Sequence, residues 1–139
     1  MTTLEKPAGK NKPSVRVMPQ SKGNTLCVEM ANSITKEDYE RNFRDRFLEI
    51  IKKEPHINLL FSFTPSYKGW EPDAADLSLK SIMELGHYIH RQAYVNAPKK
   101  IFFRNKLSAQ LFSGETRYFP EGQFREALEW VTGGDDSSN

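Results

Sequence analysis

The residues INLLFSF at 57–63 are apolar at nearly every position, the pattern of a β-strand covered on both faces and therefore lying inside a mainly parallel sheet. Upstream, VRVMP at 15–19 and TLCVEM at 25–30 are short β-prone segments separated by QSKGN, in which Gly23 and Asn24 supply the turn of a hairpin. Thr35 stands three residues before Asp38 and predicts the cap of a helix. Along that helix Tyr39, Phe43, Phe47, Leu48, Ile50 and Ile51 recur at three- and four-residue spacing, with Arg41, Arg44, Asp45, Lys52 and Lys53 opposite; Pro55 ends it near Glu54.

Beyond the apolar strand, Ala75, Leu79, Ile82, Met83, Gly86 and Ile89 predict one face of a second helix over roughly 73–90. QAYV at 92–95 reads as a strand, and Asn96-Ala97-Pro98 opens a third helix expected to bury Phe102, Phe103, Leu107 and Leu111. ETRYF at 115–119 alternates like a half-buried edge strand. In the last helix Phe124, Ala127, Leu128 and Val131 repeat at i, i+3, i+4, i+7, between Pro120 and Gly133-Gly134. The order ββαβαβαβα predicts an α/β fold: a mainly parallel sheet of about five strands that begins with a β-hairpin.

A length of 139 residues suits one domain, placed at 14–132, with 1–13 and 133–139 too polar to pack and expected to be flexible ends. Lys plus Arg number 20 against 18 for Asp plus Glu, so the net charge of +2 gives no reason to expect nucleic acid. The single cysteine, Cys27, fits a reducing compartment. With no signal-peptide pattern and no apolar run near the roughly 20 residues needed to span a bilayer, a cytoplasmic protein without a transmembrane segment is expected.

Candidate chemistry concentrates at SYKGWEPD, 66–73, because ligands of open α/β sheets bind beyond the carboxyl ends of the strands. Gly69 and Pro72 are also ordinary turn residues and Trp70 an ordinary packing lid, so site and turn both stay open. His87 and His90 are three apart on the second helix, but no third ligand is evident, and no metal or cofactor is expected. Lys99, Lys100, Arg104 and Lys106 interleave with Phe102 and Phe103, either an amphipathic helix with a solvated rim or a membrane-surface or nucleic-acid contact. Asp73 and Asp76 suit a helix start, and no catalytic signature is present, so an enzyme is not expected.

The Gly23-Asn24 turn with its apolar strand at 23–30, ITKEDYE at 34–40, Gly69, Trp70, Pro72, RYF at 117–119 and ALEWV at 127–131 together resemble the SpoIIAA-like group of STAS-type domains over about residues 14–132. The resemblance implies that fold and a non-catalytic bacterial regulatory or protein-interaction module, with a protein partner or a second copy of itself. Related anti-sigma-factor antagonists carry a phosphorylatable serine after the third strand. Here TPSYKGWEPD has no Asp-Ser-Ser-Gly motif, and Ser66 is the nearest candidate for phosphorylation. The expected partner- or ligand-binding edge is Ser66, Tyr67, Lys68, Gly69 and Trp70. The likeness of the fold to CRAL-TRIO-type lipid-binding domains implies an alternative: a small apolar or anionic ligand such as a lipid, taken up at a membrane surface, with Trp70 over it and Lys68 beside its head group.

Overall fold

The computed structural model describes residues 12–108 and 114–133. Strand β4 (Ile57–Phe63) lies at the centre of a five-stranded sheet, buried at every position except Ser62. Its neighbours are β2 (Thr25–Met30) and β6 (Ile89–Val95), both parallel to it, with Leu59 beside Leu26 on one side and Gln92 on the other. The edges are β1 (Val15–Val17), antiparallel to β2 as a hairpin requires, and β7 (Glu115–Phe119), parallel to β6. A separate two-stranded parallel sheet, β3 (Ser33–Ile34) with β5 (Gly69–Trp70), was not anticipated; each strand is two residues long and carries no periodicity of its own.

Strand alternation divides the interior in two. Leu26, Val28 and Met30 of β2, Ile57, Leu59, Phe61 and Phe63 of β4 and Tyr94 of β6 belong to one core, whereas Cys27, Leu60, Ala93 and Val95 belong to the other. The second core is closed by α5 (Phe124–Val131), whose Ala127, Trp130 and Val131 are buried. Two guanidiniums flank the Trp130 ring, Arg91 at 5.2 Å and Arg117 at 4.8 Å from its centroid, and Arg91 also donates to the Trp130 carbonyl at 2.6 Å.

The first core lies beneath the other helices. A continuous rod comprises α1 (Lys36–Tyr39), a π-helical turn (Glu40–Arg44) and α2 (Asp45–Ile51). Thr35 caps it, its hydroxyl accepting from the Asp38 amide at 3.2 Å, and Asp38 accepts from the Ser14 amide and hydroxyl at 2.8 and 2.9 Å, tying β1 to the helix start. The π turn leaves no trace in the apolar spacing, since Tyr39, Phe43 and Phe47 still face inward.

Helix α3 (Pro72–Leu85) opens on Pro72 as expected but ends sooner, and Gly86–Tyr88 form a single 3-10 turn. Ile89 and His90 are therefore strand residues, because pairing of Ile57 with Ile89 extends β6 three residues ahead of QAYV. The buried face of α3 is also rotated from the expected one. It carries Ala74, Ser78 and Ser81, while Leu79 and Met83 are 49% and 65% exposed. Helix α4 (Lys99–Ser108) corrects a second expectation: it turns Ile101 and Asn105 inward and leaves Phe102 and Phe103 47% and 64% exposed. The inner place is held by Asn105, which donates to the Tyr118 hydroxyl at 3.1 Å, so the aromatic pair stands outside. The side chain of Leu107, all of Leu111 and the outer parts of both expected flexible ends lie outside the described residues.

Gly114 enters β7 so close to β6 that a β-carbon there would strike the carbonyls of Ile89 and His90. Gly114→Ala should therefore destabilise the fold by about 1–3 kcal/mol, the usual cost of overpacking, measured by denaturant unfolding.

Candidate functional site

Between the first face of the sheet and the helical layer, the side chains do not fill the space. The floor is aromatic: Phe61 and Phe63 both stack on Tyr94, at 4.9 and 6.3 Å between ring centroids. The roof is Tyr39, Phe43 and Phe47 from the first helical rod, Ile82 and Leu85 from α3 and Ile101 from α4, with Trp70 closing one wall. The cavity leaves about 50 Å³ in which the centre of a water molecule can move, several times what one water needs.

Its polar groups form a seam along α3. Ser78 and Ser81, one turn apart, each meet an arginine from another helix. Arg44 Nε donates to Ser81 Oγ at 3.0 Å and its Nη2 to Glu84 at 2.9 Å, while Arg104 Nη2 donates to Ser78 Oγ. Arg104 also lies over the Trp70 indole, 4.9 Å from the ring centroid. Tyr39 belongs to the same seam; burial raises its phenol pKa, and the two serines and both arginines oppose that rise. Tyr94 is pushed up likewise by burial, so both phenols remain hydrogen-bond donors at neutral pH. Trp70 Nε1 is buried, and among the described residues it has no partner at full hydrogen-bond geometry. It does bear on Tyr67, where burial raises the phenol pKa and the indole opposes the rise.

The edge residues separate into two groups. Trp70 and Tyr67 turn inward, Trp70 edge-on to Tyr39 at 5.4 Å and Tyr67 edge-on to Phe63 at 4.9 Å. Ser66 and Lys68 are exposed. The Ser66 hydroxyl is 2.8 Å from that of Thr64, and Lys68 lines a second, open and polar concavity with Lys12, Ser14, Asn32 and Asp38. Lys68 is thus not part of the apolar cavity, where Arg44 and Arg104 supply the positive charge. Gly69 has φ of +115°, a conformation that favours glycine and that lets β5 pair with Ser33 and Ile34.

The histidines do not share a helix: His87 lies in the 3-10 turn and His90 in β6, 5.8 Å from His56 between ring centroids. Among the described residues no group of three His, Cys, Asp or Glu is arranged to hold a metal. Cys27 is buried beneath α5, and burial pushes its thiol up to about 11, against a smaller opposing bond with Ser21. Sequence reasoning overlooked Tyr39, Arg44, Ser78, Ser81 and Arg104 as a group. The available signal was the recurrence of the small residues Ala74, Ser78 and Ser81 at four- and three-residue spacing, which a search for apolar stripes passes over.

A family model described as SpoIIAA-like matches residues 25–132, from the start of β2 to the residue after α5. The chain belongs to the SpoIIAA-like family. The crystal structure of an uncharacterized protein of the DUF3478 family with a SpoIIAA-like fold, from Shewanella loihica PV-4, superposes with a TM-score of 0.62 at 22% identity, over 84% of this chain and 91% of that one. No curated protein matches the chain. In this SpoIIAA-like domain the cavity falls wholly within the matched region, and among the described residues no helix is long and apolar enough to cross a membrane.

Two outcomes follow for this SpoIIAA-like domain. The raised Cys27 pKa means that the folded state holds this proton more tightly than the unfolded chain. That contribution to stability is intact below about pH 9, the ordinary value, and is lost as pH rises toward about 11. The melting temperature should accordingly fall across that window, and less so for Cys27→Ala. Trp70→Ala should cost about 2 kcal/mol or more in denaturant unfolding, because it opens the cavity wall and removes the surface beneath Arg104.

Proposed function

We propose that this SpoIIAA-like domain is a non-catalytic binding module that takes a small apolar or amphipathic molecule into the cavity between its sheet and helices. The observation that carries the reading is the unfilled, largely aromatic cavity, with Arg44, Arg104, Ser78 and Ser81 among its lining residues. Natural cores leave few voids larger than a water, and pockets that bind small molecules are mostly apolar with a few convergent polar groups. The small volume favours a slender chain over a fused ring system. Residues 66–70 then act as a regulatory rim. Trp70 walls the ligand with Tyr67 packed against Phe63 nearby, and a phosphoryl group on exposed Ser66 would disrupt its contact with Thr64 at the point where the chain turns toward them.

A second reading, contact with a membrane surface, is favoured by α4. Phe102 and Phe103 face outward beside Lys99, Lys100 and Lys106, and no acidic residue lies between Lys99 and Ser108. Such a face suits anionic lipid. It is compatible with the first reading, since α4 also presents Ile101 and Arg104 to the cavity.

Native mass spectrometry of the purified protein, followed by organic extraction, should reveal a bound apolar small molecule or, after its removal, one-to-one uptake of octanoate or octanol. An empty protein that takes up neither would refute the cavity reading. For α4, sedimentation with vesicles of phosphatidylcholine containing about 30% phosphatidylglycerol should pull down the protein, and Phe102→Ser with Phe103→Ser should reduce the bound fraction at least fivefold.

A further inference from the structure

We infer that the seam joining Arg44, Ser81 and Tyr39 is a site for the anionic head of the bound molecule, a single carboxylate, and that Glu84 occupies its cation when the cavity is empty. The inference rests on the cavity reading and adds the chemistry of one end of the ligand.

Among the described residues, two arginines line the cavity, Arg44 and Arg104, and no aspartate or glutamate does. The other polar groups at the seam are the hydroxyls of Ser78 and Ser81 and the phenol of Tyr39, all able to donate. The Tyr39 phenol is protonated at neutral pH, and burial raises its pKa further. A seam of donors with fixed positive charge complements an anion; a neutral or cationic head would gain no charge-assisted bond from the guanidinium.

Glu84 shows how that acceptor is supplied. It lies outside the lining and reaches Arg44 from the solvent side, Nη2 to Oε1 at 2.9 Å, with the arginine side chain 21% and the glutamate side chain 46% exposed. Arg44 is held from the other direction by Ser81, 3.0 Å from its Nε. The guanidinium is therefore oriented by one partner and neutralised by another that is half in water. An ion pair of this exposure contributes little, so a carboxylate entering from the cavity can displace Glu84 at small cost and gain the charge-assisted bonds. Five donors on the guanidinium leave room for both carboxylates during the exchange.

The π turn explains why Arg44 is available. It places Phe43 and Arg44, adjacent in sequence, both on the cavity wall, so the rod offers an apolar and a cationic group at the same level. Such turns within α-helices are often found at functional sites.

The test measures octanoate and octanol binding by isothermal titration calorimetry to the full chain and to two variants, with melting temperatures recorded for each. Octanoate should bind at least tenfold more tightly than octanol. Glu84→Gln should strengthen octanoate several-fold, and Arg44→Gln should weaken it at least tenfold, with octanol unchanged in both. Octanol binding serves as the internal check that Arg44→Gln retains the folded cavity. Equal affinities for the two probes, or no response to Glu84→Gln, overturn the head site and leave the cavity reading standing. Binding of neither probe to the unmodified protein removes both.

Discussion

Strand β4 is covered on both faces and paired on both edges, and the rest of the molecule is arranged to meet those demands. Its backbone is satisfied by β2 and β6, so neither neighbour can be far from it in the sheet. Its side chains alternate between two cores, so helices must cover each face. The two coverings are unequal. Among the described residues, one face receives α5 alone, with Trp130 fully buried; the other receives the first helical rod, α3 and α4. One short amphipathic helix packs its Ala127, Trp130 and Val131 against small residues such as Cys27 and Ala93. Several helices meeting over large aromatic rings leave space on the other face.

That space is polar on one side because α3 faces inward with serines. An apolar face there would have filled the cavity and left Arg44 and Arg104 to solvent. Instead, Ser78 and Ser81 draw both guanidiniums to the cavity wall, and Tyr39 lies among them. Burying these groups costs free energy unless they are hydrogen-bonded, and the serine contacts provide that compensation. The same bonds orient the two cations toward an apolar interior, which gives the cavity a preference by charge as well as by shape.

Much of the fold was legible in the residues. The hairpin, the Thr35 cap, the two-faced strand at 57–63, the edge strand at 115–119 and the stripe Ala127, Leu128, Val131 all rest on spacing or turn chemistry that acts over a few residues. The candidate site was only partly legible. Trp70 lies on the cavity wall, whereas grouping it with Ser66 and Lys68 followed chain proximity, and adjacent residues of an extended segment point to opposite sides. The faces of α3 and α4 were misjudged for one reason: an apolar stripe was taken to be the buried one. On both helices side-chain hydrogen bonds won the inner position, through Ser78 and Ser81 on α3 and Asn105 on α4.

By itself, then, the sequence determined the class of fold, the order of its elements and the identity of its central strand, because alternation, helical period and capping are local properties of the chain. Only the tertiary structure decided that Arg44, Ser81, Tyr39 and Trp70 share one cavity and that Phe102 and Phe103 lie outside it. Those outcomes depend on which elements meet and on which polar groups find partners when they do. Residues such as Arg44 and Ser81, 37 positions apart, carry no mark of that meeting in their own neighbourhoods.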